Sequence, residues 1–244
     1  MKIGILNSDT VKIDGAAEFG QYPEMFSKVF WAVEPKIQFK TYEVQFGDYP
    51  EDINECDAYL ITGSKASCYD NVQWIHALKE FIKALHKNKK KLIGVCFGHQ
   101  IIAEALGGSV RKSPSGWHAG VDSISLNNDA LEYGDQGKKY NLVFSHQDEV
   151  KRLPRNATLI AESASRIIFF IEFSFCDISV YMFSSICICC NICWACSSLM
   201  SLNCIYCIKI RVFEIKEKRK ENYFAFENRT FTSSQLMIFH QAAM

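Results

Sequence analysis

The 244-residue chain predicts an α/β fold: a doubly wound, mostly parallel sheet with helices on both faces. Three observations carry this. Short runs rich in Ile, Leu and Val alternate with segments whose apolar residues recur at helical spacing. The runs end in polar or glycine turns, as strands feeding helices do. All 13 Gly and all 5 Pro lie within residues 1–164, so the turn residues of a folded domain are confined to that part.

In chain order, "KIGIL" (2–6) reads as a buried strand, and "AAEFGQYPEMFSKVFWAV" (16–33) as a helix. "IQFKTYEVQ" (37–45) alternates in strand fashion, and "DAYLITGS" (57–64) is an apolar strand closed by a glycine turn. "VQWIHALKEFIKALHKNKK" (72–90) gathers Trp74, Ile75, Leu78, Phe81, Ile82 and Leu85 on one helical face, with lysines at the end favoured by the helix dipole. "KLIGVC" (91–96) is the next strand, and "GHQIIAEALGG" (98–108) a helix closed by glycines. Beyond residue 108, "GSVRKS", "GVDSISLN", "YNLVFSHQDEV" and "ATLIAES" read as shorter strands that extend the sheet or form a β-rich flap beside it.

Lys+Arg and Asp+Glu number 27 each, so bulk charge points to no nucleic-acid or acidic-membrane partner, and a small-molecule substrate fits better. The opening "MKIGILNSD" has too few apolar residues for a signal peptide, and the expected location is the cytosol.

The chemistry-bearing feature is Cys96, set where a strand turns sharply into a helix, with Gly94 and Gly98 two residues away on either side. This is the nucleophile-elbow pattern with Cys in place of Ser. It holds the side chain at the carboxyl end of the sheet, where α/β folds bind ligands. The helix N-terminus that follows favours thiolate. The alternative is a buried cysteine that packs as a small apolar residue.

"GVCFGHQ" (94–100) resembles the nucleophile motif G-x-C-x-G-x-Q of the class I glutamine amidotransferases. "YLITGS" (59–64) is similar to that family's oxyanion-hole turn, and "FSHQDEV" (144–150) to the segment lining its glutamine pocket. "PSGWHAGV" (114–121) resembles the stretch between them in the stand-alone, GMP-synthetase-like branch. The resemblance covers residues 1–164 and implies a flavodoxin-like fold without metal or cofactor. It implies Cys96 as nucleophile, attacking the side-chain amide of glutamine or a γ-glutamyl compound, with the backbone N–H groups of Gly63 and Phe97 as oxyanion-hole donors. It also implies that Gln100, Ser145 and His146 contact the bound glutamyl group. His99 and His118 read as structural.

The family takes its general base and orienting carboxylate from one His-x-Glu motif near the domain's C-terminus. None of the six histidines here is followed two positions later by Glu. The absence coincides with a composition break. The last 80 residues contain no Gly or Pro where ordinary usage gives about ten, and they hold 8 of the 11 Cys. The C-terminal strands of the fold are therefore expected to be missing or replaced. Residues 1–164 form an incomplete amidotransferase-like domain and 165–244 a Cys/Ile/Phe/Ser-rich tail.

Three readings of the tail compete. Residues 178–208 lack charge and precede a basic run, as a membrane span would. "CNICWAC" and "CIYC" have zinc-ligand spacing. The third reading is sequence foreign to the domain, such as translated intron or a frameshift. The zero count of Gly and Pro ranks the third first. The leading function is thus cysteine-nucleophile hydrolysis by a domain that lacks its His–Glu pair and is inactive as written. The alternatives are a non-catalytic γ-glutamyl-ligand or partner-binding protein and a membrane-anchored variant of the domain.

Overall fold

The computed structural model of the chain describes residues 1–11, 20–32, 34–126, 139–155, 157–163, 168–175 and 178–183. Alternation of buried side chains along the first strands decides the architecture. In β1 (Lys2–Asn7), Ile3 and Ile5 pack on one face and Leu6 on the other. In β3 (Ala58–Ile61), Leu60 faces one side and Tyr59 and Ile61 the opposite one. In β4 (Lys91–Val95), Ile93 and Val95 oppose Leu92. A sheet apolar on both faces must be covered on both.

Helix α1 (Tyr22–Trp31) covers one face with Met25, Phe26 and Phe30. Helix α2 (Gln73–Lys87) and helix α3 (Phe97–Ala105) cover the other. From α2 the residues fully withdrawn from solvent are Ile75, Leu78, Ile82 and Leu85, each contributing about 1.5–3 kcal/mol of burial. Trp74 and Phe81 pack at the margin. The opening part of the expected first helix, at 16–19, lies outside the described residues.

Among the described residues the main sheet has nine strands in the order β2 (Gln38–Glu43), β1, β3, β4, β11 (Ile178–Phe183), β10 (Ile168–Phe175), β9 (Ala157–Ser163), β6 (His118–Leu126) and β7 (Lys139–His146). Strands β2 (Gln38–Glu43), β1, β3 and β4 run parallel. Of the later strands, β6 (His118–Leu126), β7 (Lys139–His146) and β9 (Ala157–Ser163) extend the sheet with antiparallel pairing. By contrast β5 (Ser109–Lys112) and β8 (Asp148–Arg152) form a separate two-stranded sheet. The two arrangements expected after residue 108 both occur.

The sheet does not end at residue 164. Strand β10 (Ile168–Phe175) pairs antiparallel with β9, and β11 (Ile178–Phe183) pairs antiparallel with β10 and parallel with β4. Residues 168–175 and 178–183 therefore occupy the place where missing or replaced strands were expected. The physical reason is that β4 and β9 would otherwise present open edges of backbone N–H and C=O groups. "IFFIEFSF" and "ISVYMF" are aromatic and β-branched enough to fill them. The apolar run beyond residue 183, the cysteine pairs within it and His240 lie outside the described residues. Among the described residues no helix is long and apolar enough to cross a membrane, and no group of three or more His, Cys, Asp or Glu could hold a metal ion.

Candidate active site

Cys96 joins β4 to α3 with φ 54° and ψ −106°, a left-handed conformation that an L-residue adopts only when its surroundings enforce it. The enforcement is visible on both sides. A Cβ at Gly94 would lie 2.6 Å from the backbone carbon of Gly98, and a Cβ at Gly98 would collide with the main-chain oxygen of Ile61. The two glycines let α3 lie directly on the sheet, which makes the turn sharp. Cys96 is half-buried, whereas Cys56 and Cys68 are fully buried. Burial pushes the Cys68 thiol up to about 12, so that cysteine is inert by environment.

Strand register brings the expected oxyanion-hole donors to Cys96. The last β3–β4 pair is Ile61 with Gly94, so Gly63 and Cys96 each lie two residues beyond it, level with one another at the carboxyl end of the sheet. Phe97 is the first residue of α3, and its N–H is one of those a helix N-terminus leaves without an intrahelical acceptor. The Phe97 ring is fully buried and packs, tilted, 5.6 Å from the Trp74 ring at the start of α2. On the other side of β4, the register pairs Phe183 of β11 with Val95. Strand β11 thus ends one residue short of the level of Cys96, and the sequence continues as Ser184, Ser185, Ile186 and Cys187.

The remaining expected residues converge on one main-chain carbonyl. Gln100, one helical turn past Cys96, donates from Nε2 to the backbone oxygen of Asp148 at 3.0 Å. His146 Nδ1 lies 3.1 Å from the same oxygen, which sets the proton on Nδ1. Burial lowers the His146 pKa, with the nearby His118 acting in the same direction and the Asp148 carbonyl opposing, so the ring is neutral at pH 7. Ser145 Oγ is buried with no hydrogen-bond partner among the described residues. His99 is buried within α3, and His118 lies 3.8 Å from Asp122 and 5.7 Å, ring to ring, from His146. Cys96 and Phe97 thus sit at the β4–α3 turn and Gly63 follows the neighbouring strand β3, while Gln100 of α3 and His146 at the β7–β8 turn, next to Ser145, meet at the Asp148 carbonyl.

Sequence reasoning passed over the residues that hold the turn after Gly63. Lys65 donates to the Asp9 carboxylate from its backbone N–H and its Nζ, both at 2.9 Å. Burial raises the Asp9 pKa, but the Lys65 and Thr10 bonds outweigh it and leave the carboxyl below the usual range. Ser67 Oγ and Tyr69 OH donate to the two carboxylate oxygens of Asp148, at 2.6 and 2.8 Å. The only signal in the sequence was the Asp inside "FSHQDEV", whose partners lie 79 and 81 residues away.

With this geometry established, comparison with known proteins identifies the lineage. The family model described as Glutamine amidotransferase class-I matches residues 21–172. The chain belongs to the class I glutamine amidotransferase family. A glutamine amidotransferase-like protein of Schizosaccharomyces pombe is 33% identical over 173 residues, covering 66% of this chain and 69% of that protein. Gamma-glutamyl peptidase 5 of Arabidopsis thaliana is 34% identical over 152 residues, covering 59% of this chain, which spans 60% of the peptidase's length. The crystal structure of a glutamine amidotransferase from Thermotoga maritima superposes with a TM-score of 0.60 at 17% identity, over 75% of this chain and 74% of that one, and shows the shared fold. In this class I glutamine amidotransferase-like domain, the G-x-C-x-G-x-Q stretch lies where β4 meets α3.

Proposed function

We propose that the chain binds glutamine or a γ-glutamyl amide at the Cys96 turn and reacts with it through the Cys96 sulfur, without sustained turnover. The observation that carries this reading is the left-handed Cys96 held between Gly94 and Gly98, level with Gly63. Relatives named gamma-glutamyl peptidases support a γ-glutamyl substrate class.

The chemistry follows from the residues present. The Cys96 thiolate adds to the amide carbon, forming a C–S bond and placing a negative charge on the amide oxygen. The N–H groups of Gly63 and Phe97 hold that oxyanion, and losing one such donor typically costs about 10²–10³ in rate. Collapse to the thioester expels ammonia or an amine, and the departing nitrogen must take up a proton as the C–N bond breaks. The family draws that proton from its His-x-Glu histidine, which these 244 residues lack. Neutral His146 is engaged with the Asp148 carbonyl through Nδ1 and serves the pocket wall instead. Ser145 Oγ supplies a buried polar atom for the amino-acid end of the ligand.

The same absence favours a second reading, a γ-glutamyl-ligand binding protein with no covalent step. Ammonia release from glutamine by the purified full chain tests the proposal, with the expected rate no greater than that of Cys96→Ala. Turnover abolished by Cys96→Ala would contradict it and require a base elsewhere in the chain. The tail is read as sequence foreign to the domain. A transcript across codons 155–175 that continues into a Gly-containing strand and a His-x-Glu motif is the expected finding, and one that encodes the tail as written would contradict it.

A further inference from the structure

We infer that Asp148 is a positioning residue that clamps the loop following Gly63, and through it the Gly63 N–H, against the helix that carries Cys96. Its catalytic consequence rests on the function proposed above.

Asp148 is buried, and both its carboxylate oxygens are occupied: Oδ2 by Ser67 Oγ at 2.6 Å and Oδ1 by Tyr69 OH at 2.8 Å. Hydroxyl bonds to a carboxylate are short and strong compared with neutral ones. The main-chain oxygen of the same residue takes Gln100 Nε2 at 3.0 Å and lies 3.1 Å from His146 Nδ1. One residue therefore ties together the loop after β3, the helix after the nucleophile and the turn expected to line the pocket. The Ser67 amide donates to Asp70 Oδ2 at 2.9 Å, and the Asp70 amide returns a bond to the Ser67 carbonyl, so the segment gripped by Asp148 is a closed turn. At the near end of the loop the two Lys65 bonds to Asp9 hold the chain two residues beyond Gly63. A loop pinned at 65 by one carboxylate and at 67 and 69 by another keeps the Gly63 N–H where charge develops. Such preorganisation accelerates a reaction without affecting how tightly the ground state binds.

The test uses the full chain and a chloromethyl ketone of glutamine length. In that reaction the Cys96 thiolate first adds to the ketone carbon, placing the charge on the oxygen that the Gly63 N–H would hold; the sulfur then passes to the methylene carbon as the C–Cl bond breaks, the carbonyl re-forms and chloride leaves, so no protonated leaving group is needed. Asp148→Asn and the double variant Ser67→Ala/Tyr69→Phe remove opposite sides of the clamp. The expected result for each is a kinact about 10²-fold lower, a KI within about threefold of the unaltered chain, and alkylation of Cys96 by iodoacetamide at an unchanged rate. Amide hydrogen exchange over residues 62–70 is expected to quicken in both. The double variant keeps the test open if Asp148→Asn does not fold. An unchanged kinact in a folded variant overturns the inference even if the loop loosens, because the clamp would then be structural only. If the unaltered chain takes iodoacetamide but not the ketone, the glutamyl site itself fails. Exchange then decides the clamp alone: unchanged exchange over 62–70 overturns it and faster exchange supports it.

Discussion

Gln100 Nε2 and the main-chain oxygen of Asp148 are joined by a 3.0 Å hydrogen bond that ties the helix following Cys96 to the β7–β8 turn. The bond is buried, and its loss leaves that oxygen with the His146 Nδ1–H as its remaining side-chain donor. Gln100→Leu keeps the volume and removes the donor. The expected cost is about 1–2 kcal/mol, read as a lower urea midpoint with an unchanged slope, together with slower labelling of Cys96.

The glycines of the elbow are constrained by backbone as well as by the side chains of Ile61 and Ile102. A Cβ at Gly98 would lie 3.0 Å from the Ile61 carbonyl carbon and closer still to its oxygen. Backbone of a central strand cannot swing aside as a side chain can. Gly98→Ala is expected to destabilise by about 1–3 kcal/mol, lowering Tm by about 2–12 °C at ~2–4 °C per kcal/mol. Calorimetry or a thermal melt checks this.

Asp9 makes stability depend on acid pH. Its folded carboxyl lies below the usual range, since the Lys65 and Thr10 bonds outweigh the effect of burial. The stabilisation is therefore fully present above the unfolded value of about 3.9 and is lost as pH falls through the folded value. Asp9→Asn is expected to cost about 1–3 kcal/mol at pH 7 and to flatten the decline in stability below pH 5, measured by urea unfolding across pH.

His146 acts at milder pH. Burial lowers its folded pKa, as it does for His86 on α2. The unfolded chain then binds more protons below about pH 6.5, so stability is full above that value and falls as pH drops from it toward the folded pKa values. His146→Gln is expected to reduce that acid slope and leave the share due to His86. A slope unchanged by the substitution would show that His146 is not held neutral.

Much of the fold was legible because it rests on local periodicity. The apolar face of 72–90 became α2, with Ile75, Leu78, Ile82 and Leu85 buried, and the i−2 and i+2 glycines around Cys96 encoded the elbow. Strands β10 and β11 were not legible, because their local sequence lacks the turn residues that mark a domain. Their place is decided by the open edges of β4 and β9, a tertiary property. The Asp148 clamp was hidden for a related reason. Ser67 and Tyr69 look like ordinary loop residues until the fold brings them to a carboxylate about 80 positions away.

The central claim is that Cys96 remains a competent nucleophile in a glutamyl site that cannot turn over. Mass spectrometry of the full chain exposed to the glutamine-length chloromethyl ketone, with and without excess glutamine, tests it most directly. The expected result is a single adduct on the peptide containing Cys96, formed faster than on any of the other ten cysteines and slowed by glutamine. An adduct that glutamine does not slow, or one spread equally over the cysteines, would contradict the account.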